Sequence, residues 1–148
     1  KVIDADTREP IQGAVVLGEW SRIHSNVAGW NSEFYDAVET VTDKNGDFYL
    51  KGLGILLFSN IDEMNVLIFK AGYEHLGNGP WESFKVDYML KEKISWKDGK
   101  AIIPLKKFTK KESKEFGAPS RPNIPEAKMK LLTDEINKWR REQGFEPF

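Results

Sequence analysis

The chain has 148 residues, with 22 Lys/Arg against 23 Asp/Glu, 40% hydrophobic residues and no cysteine. That length suits one domain with an appendage and is enough to bury roughly 70% of the unfolded surface. The missing cysteines exclude a disulfide scaffold, a thiolate metal site and a cysteine nucleophile. No apolar run approaches the roughly 20 residues of a membrane-spanning helix.

The balanced total hides an asymmetry, because residues 1–90 carry 7 Lys/Arg and 14 Asp/Glu whereas residues 91–148 carry 15 and 9. An acidic body with a basic tail favours docking of the tail on the body, or head-to-tail contact between copies. The plainer alternative is a solvated lysine-rich surface. Lysines interleaved with glutamates, as in Lys110-Lys111-Glu112-Ser113-Lys114-Glu115, do not make the aromatic-studded basic face of a nucleic-acid binder.

In chain order, the first two-thirds read as β. The chain starts at Lys1 rather than Met, inside the expected first strand, so a leader or upstream segment is expected to precede it. Ala14 to Arg22 and Phe34 to Thr42 alternate and are rich in β-branched and aromatic residues, as half-buried strands are. Between them, Ser21 to Glu33 is expected to be a long loop. Asp43-Lys44-Asn45-Gly46 supplies a turn and Phe48 to Leu50 the returning strand. Val66 to Phe69 is a continuous apolar run, the mark of a strand covered on both faces. Leu76 to Ser83 is Gly-rich and is expected to be a second loop, within an insertion spanning residues 74–84. Trp96 to Ile103 reads as a hairpin with Asp98-Gly99 at its tip.

After Leu105 the period changes. Thr109 with Glu112 makes a capping box, residues 116–125 form a linker with Pro119, Pro122 and Pro125, and a helix is expected from Pro125 to about Gln143, stopped by Gly144. Met129, Leu132, Ile136 and Trp139 share one face of that helix. Packing on the sandwich and docking on another subunit are both open to that stripe.

Three segments carry a family resemblance: Val2 to Val16, Thr42 to Phe48, and Val66 to Tyr73. Their order and spacing resemble the carboxypeptidase regulatory-like domain, a small antiparallel β-sandwich of transthyretin-like (prealbumin-like) fold. The match covers roughly residues 1–73, with Ala101 to Leu105 as a closing strand. It implies a mainly β sandwich over residues 1–108 with inserted loops at 21–33 and 74–84, followed by a helical extension over 109–148. Relatives of this kind are commonly exported, so the resemblance implies the periplasm, an outer-membrane association or the extracellular space. The long aromatic loop and helical C-terminus look like small exported sandwich proteins of environmental bacteria.

No segment has the pattern of a catalytic site. Asp43, Asn45 and Asp47 alternate like half a calcium loop, but Gly46 precedes the third of them and the distal Glu is missing, so a hairpin explains them. His24 and His75 lack short ligand spacing, and a zinc site formed by them with a nearby carboxylate is the least favoured reading. The hydroxyisourate hydrolases of this fold use a His/Arg set and a C-terminal Tyr-Arg-Gly-Ser motif, whereas this chain ends Gly144-Phe145-Glu146-Pro147-Phe148. The self-forming Lys–Asn isopeptide bond of related sandwich adhesins needs an Asn on the last strand, and Ala101 to Leu105 contains none, so that reading is not favoured.

Binding remains. Trp30, Trp81 and Tyr73, with His24 and His75, are candidates for an aromatic platform at one end of the sandwich, while Trp20, on a strand, is expected to roof the core. The expectation is a non-catalytic accessory or structural subunit of the cell envelope or extracellular space, without cofactor. It binds a protein partner or a second copy through the aromatic loops and the tail helix. The alternative is a carbohydrate-binding module using the loop tryptophans, and a metal-dependent hydrolase comes third.

Overall fold

The computed structural model describes residues 1–26, 29–54, 60–62, 64–80 and 94–148. Among them are seven strands and two short α-helices: β1 Val2–Asp4, β2 Val15–Asn26, β3 Gly29–Val41, β4 Asn65–Phe69, β5 Leu76–Pro80, β6 Ser95–Lys97, β7 Lys100–Leu105, α1 Lys110–Phe116 and α2 Lys130–Gln143. They form a three-stranded sheet of order β1-β7-β6 and a four-stranded sheet of order β3-β2-β4-β5. The protein is mainly β, with one mixed sheet, since β1 runs parallel to β7, and one antiparallel sheet.

Alternation along β2 and β4 builds two cores. Val16, Val66 and Ile68 turn inward to meet Val2, Ala101, Ile103 and Leu105 of the smaller sheet. Val15, Leu17, Leu67 and Phe69 turn the other way and meet Met129, Leu132, Ile136 and Trp139. The unbroken apolar run Val66 to Phe69 is thus explained: one face is covered by a sheet and the other by a helix. Of the two roles open to the helical stripe, packing on the same chain is the one observed. All four residues are 9% exposed or less, so they offer no face to another subunit.

The tail is anchored by polar contacts as well. Glu39 of β3 accepts hydrogen bonds from the amides of Leu131 (2.9 Å) and Leu132 (2.8 Å) in the first turn of α2. Glu135 accepts from the Ala71 amide at 3.0 Å and lies 3.3 Å from the Lys70 ammonium. Trp139 Nε1 donates to the Ser113 carbonyl at 3.0 Å, tying α2 to α1. Gly117, at the end of α1, is required there because a Cβ would collide with Trp139 and with the Ser113 carbonyl. Gly144 closes α2 in the left-handed conformation, φ 79°, as expected of a glycine stop.

Other expectations need correction. Residues 21–26 and 29–33 are not a loop: they prolong β2 and β3 as a paired arm, from Val15↔Val41 out to Asn26↔Gly29, with a bulge at Trp20/Ser21. The ladder pairing of the two strands sustains this arm even though His24, Asn31 and Ser32 are weak strand formers in isolation. The Gly-rich segment Leu76 to Pro80 is a strand too, paired with β4, and residues 81–84 of the expected second loop lie outside the described residues. Phe48 to Leu50 forms no strand; Phe48 and Leu50 instead pack against the inter-sheet core. The final helix starts at Lys130, not Pro125, after a separate 3₁₀ turn at Glu126–Lys128, because Met129 (φ −140°) breaks the helical path.

Candidate binding surfaces

The hairpin arm outgrows the sheet that supports it. β4 pairs with β2 only over Val15–Glu19, so the rest of β2 extends beyond β4. The short segment Asn60–Asp62 takes up part of that edge: Ile23 N donates to Asn60 O and Asp62 N to Ser21 O, both at 2.8 Å. On the far side, β3 is the outermost strand of its sheet among the described residues. Its 13 residues contain no Lys, Arg or Pro, the usual guards of a strand edge. Its carboxylates are engaged at home. Glu33 lies 3.9 Å from Arg22 and 3.5 Å from His24, Asp36 lies 2.8 Å from Lys128, and Glu39 caps α2. The Lys128 ammonium beside Asp36 holds that carboxyl below its ordinary 3.8.

Trp30 stands near the end of this arm, opposite Ser25, and is 82% exposed. With Ile23, Asn60, Ile61 and Asp62 it lines an open cleft of about 300 Å³. A large ring held on a paired strand loses little freedom on binding, which suits it to anchoring a partner.

The other predicted site residues are not gathered around it. Tyr73 lies beyond the end of β4, where Phe69 pairs with Val15, whereas Trp30 pairs with Ser25. Ten residues along β2 is roughly 33 Å, so the two rings cannot share a platform. Tyr73 instead packs against the inter-sheet core and hydrogen-bonds Asp4; burial, with the Asp4 charge, pushes its phenol above 10.0. Asp4 is itself a turn-builder, accepting from the Asp6 and Thr7 amides at 2.9 Å each. Trp20 is buried as expected, at 7% exposure. Trp81 lies outside the described residues.

The histidines are separated in the same way. His75 adjoins Leu76, which pairs with Ile68 and through it with Val16; His24 is eight residues further along β2, roughly 25 Å away. Among the described residues, His24 Nε2 faces Glu33 without a hydrogen bond and His75 Nδ1 is buried without one. Burial holds the His75 imidazole below 6.5, opposed by Glu74. Among the described residues no three His, Asp or Glu side chains are placed to hold a metal ion. At the Asp43–Asp47 turn, Asp43 Oδ1 accepts from the Asn45 and Asp47 amides, so that carboxylate is spent on the turn.

Two aromatics escaped the sequence reading. Tyr49 is 79% exposed and Trp96 48% exposed, and both line a second cleft, of about 440 Å³, with Asp47, Phe48 and Lys100. Tyr49 was legible in principle: Phe48 and Leu50 turn inward, so the residue between them turns out. Its pairing with Trp96 across 47 residues was not.

No known family model matches this sequence, and no curated protein or solved structure matches it either. Among the described residues no helix is long and apolar enough to cross a membrane.

Proposed function

We propose that this protein is a non-catalytic binding module whose recognition element is the β2–β3 arm and whose ligand is a protein. The observation that carries this is Trp30, a large ring 82% exposed on a long edge strand that lacks Lys, Arg and Pro. Such an edge can accept an extended segment as an added strand, with Trp30 supplying side-chain selectivity. The tail helix has a structural role in this reading, because its apolar face is spent on the four-stranded sheet. Two packed sheets and the resemblance of residues 1–73 support the finer assignment to a transthyretin-like sandwich of the carboxypeptidase regulatory-like kind. On that resemblance the protein is an exported accessory subunit of the cell envelope or extracellular space.

The test is solution mass by light scattering over a concentration series, together with selection of extended peptides from a displayed library. Trp30→Ala and Ser32→Lys, both on the exposed arm, leave the fold intact and abolish strand pairing. A discrete oligomer or a selected peptide that is lost in both variants supports the proposal. A monomer at every concentration, with no peptide whose capture depends on Trp30, refutes it. A second reading, glycan binding at Trp30, is favoured by the polar residues Asn60 and Asp62 that line the same cleft. Trp-fluorescence shifts with glycans in a protein that stays monomeric would distinguish it.

A further inference from the structure

The cleft at Tyr49 and Trp96 is separate from the arm. Trp96 and Lys100 come from β6 and β7 of the smaller sheet, and Asp47, Phe48 and Tyr49 from the segment that leaves the Asp43–Gly46 turn. Asp98 and Gly99, both at positive φ (51° and 73°), form the tight turn that pairs Lys100 with Lys97 and Ala101 with Trp96. Gly46, buried against the Val2 carbonyl, fixes where Asp47 to Tyr49 emerge. Two rigid turns therefore bring the rings together. A neighbouring hollow of about 430 Å³ shares Asp47 and Lys100 and continues past Lys97 and Asp98, so the surface is an extended groove.

We infer that this groove is a binding site for a neutral polysaccharide, with sugar rings lying on Trp96 and Tyr49 and hydroxyls bonded to Asp47 and Lys100. The apolar face of a pyranose suits an aromatic ring. Around the groove Asp47 and Asp98 are interleaved with Lys1, Lys97 and Lys100, so opposite charges largely offset and the small positive excess is a weak field for selecting a polyanion. What it offers is acceptors and donors side by side, and a vicinal diol satisfies both because each hydroxyl donates and accepts. A proline-rich peptide, the other common occupant of a Tyr/Trp groove, presents carbonyl acceptors and few donors. Such a peptide would therefore give the Asp47 carboxylate no hydrogen bond, whereas a sugar hydroxyl would. The volume lies within the usual range for ligand clefts.

Native affinity electrophoresis tests this. The gels contain xyloglucan, mixed-linkage β-glucan, galactomannan or soluble glycol chitin, and a parallel titration uses a proline decapeptide. Retardation by at least one polysaccharide is expected, reduced about tenfold or more in affinity by Tyr49→Ala and by Trp96→Ala. Trp30→Ala should leave it unchanged, which separates this site from the arm. Thermal melts confirm that the variants are folded, and Tyr49→Ala, at a mostly exposed position, keeps the test valid if Trp96→Ala does not fold. Retardation by none of the four polysaccharides, its persistence in the Tyr49→Ala/Trp96→Ala double variant, or binding of the proline peptide in its place would overturn the assignment.

Discussion

Removing the carboxylate of Glu39 should detach the start of α2 without touching its apolar face. The N-cap position is Met129, which offers no side-chain hydrogen bond, and the first turn of the helix contains no acidic residue. Glu39 supplies what both would, receiving the Leu131 and Leu132 amides on separate oxygens at 2.9 and 2.8 Å. Loss of a side-chain cap costs about 0.5–2 kcal/mol, and loss of a negative charge at a helix N-terminus about 0.3–1 kcal/mol. Glu39→Ala is therefore expected to cost about 1–3 kcal/mol. For a chain of this length that lowers Tm by about 2–12 °C. Glu39→Gln keeps one carbonyl acceptor and loses the charge, so its cost should be about half as large. Urea denaturation followed by far-UV circular dichroism measures both, with unchanged m-values showing that the unfolded state is not responsible. A Glu39→Ala variant within about 0.3 kcal/mol of the parent, or a Gln variant as unstable as the Ala variant, would refute the reasoning.

Two further outcomes follow from the same architecture. Leu132→Ala, at a side chain 1% exposed between α2 and the four-stranded sheet, should cost about 2–5 kcal/mol and leave the solution mass of the folded protein unchanged; a change in mass without a loss of stability would show that the stripe serves an interface after all. The second concerns acid. The Thr7 and Asp6 amides and the Tyr73 hydroxyl hold the Asp4 carboxyl below its ordinary 3.8, so the unfolded chain takes up that proton first as pH falls. Its contribution to stability is complete above the ordinary value and is lost as pH drops through the depressed native one. Asp4→Asn should lower stability at neutral pH and flatten the decline below about pH 4; an equally steep acid limb in the variant would assign that decline to other groups.

Local chemistry was readable along the chain wherever the deciding partners lie a few residues apart. The capping box at Thr109 and Glu112 depends on a spacing of three, and both its hydrogen bonds are formed. Asp98-Gly99 announces its own turn, and Val66 to Phe69 announces a strand covered on both sides. Even the burial of Met129, Leu132, Ile136 and Trp139 follows from periodicity, although periodicity does not say what covers them.

Only the tertiary structure decided matters that depend on distant residues. The segment from Ser21 to Glu33 is rich in residues that favour loops when considered singly. Each half of the hairpin is nevertheless held by the other, and the Asn60–Asp62 segment supports its outer edge. The helix N-terminus is capped from 92 residues away, a partner that no local pattern encodes. The two histidines and the rings of Trp30 and Tyr73 are separated by the length of β2, because a strand advances roughly 3.3 Å per residue and they lie near opposite ends of it. The same geometry brings Tyr49 and Trp96 into one groove. The sequence determined a mainly β body followed by a tail helix with one apolar face, since hydrophobic period and turn chemistry are local properties. Which aromatic residues share a surface was set by strand register, which is a property of the folded chain alone.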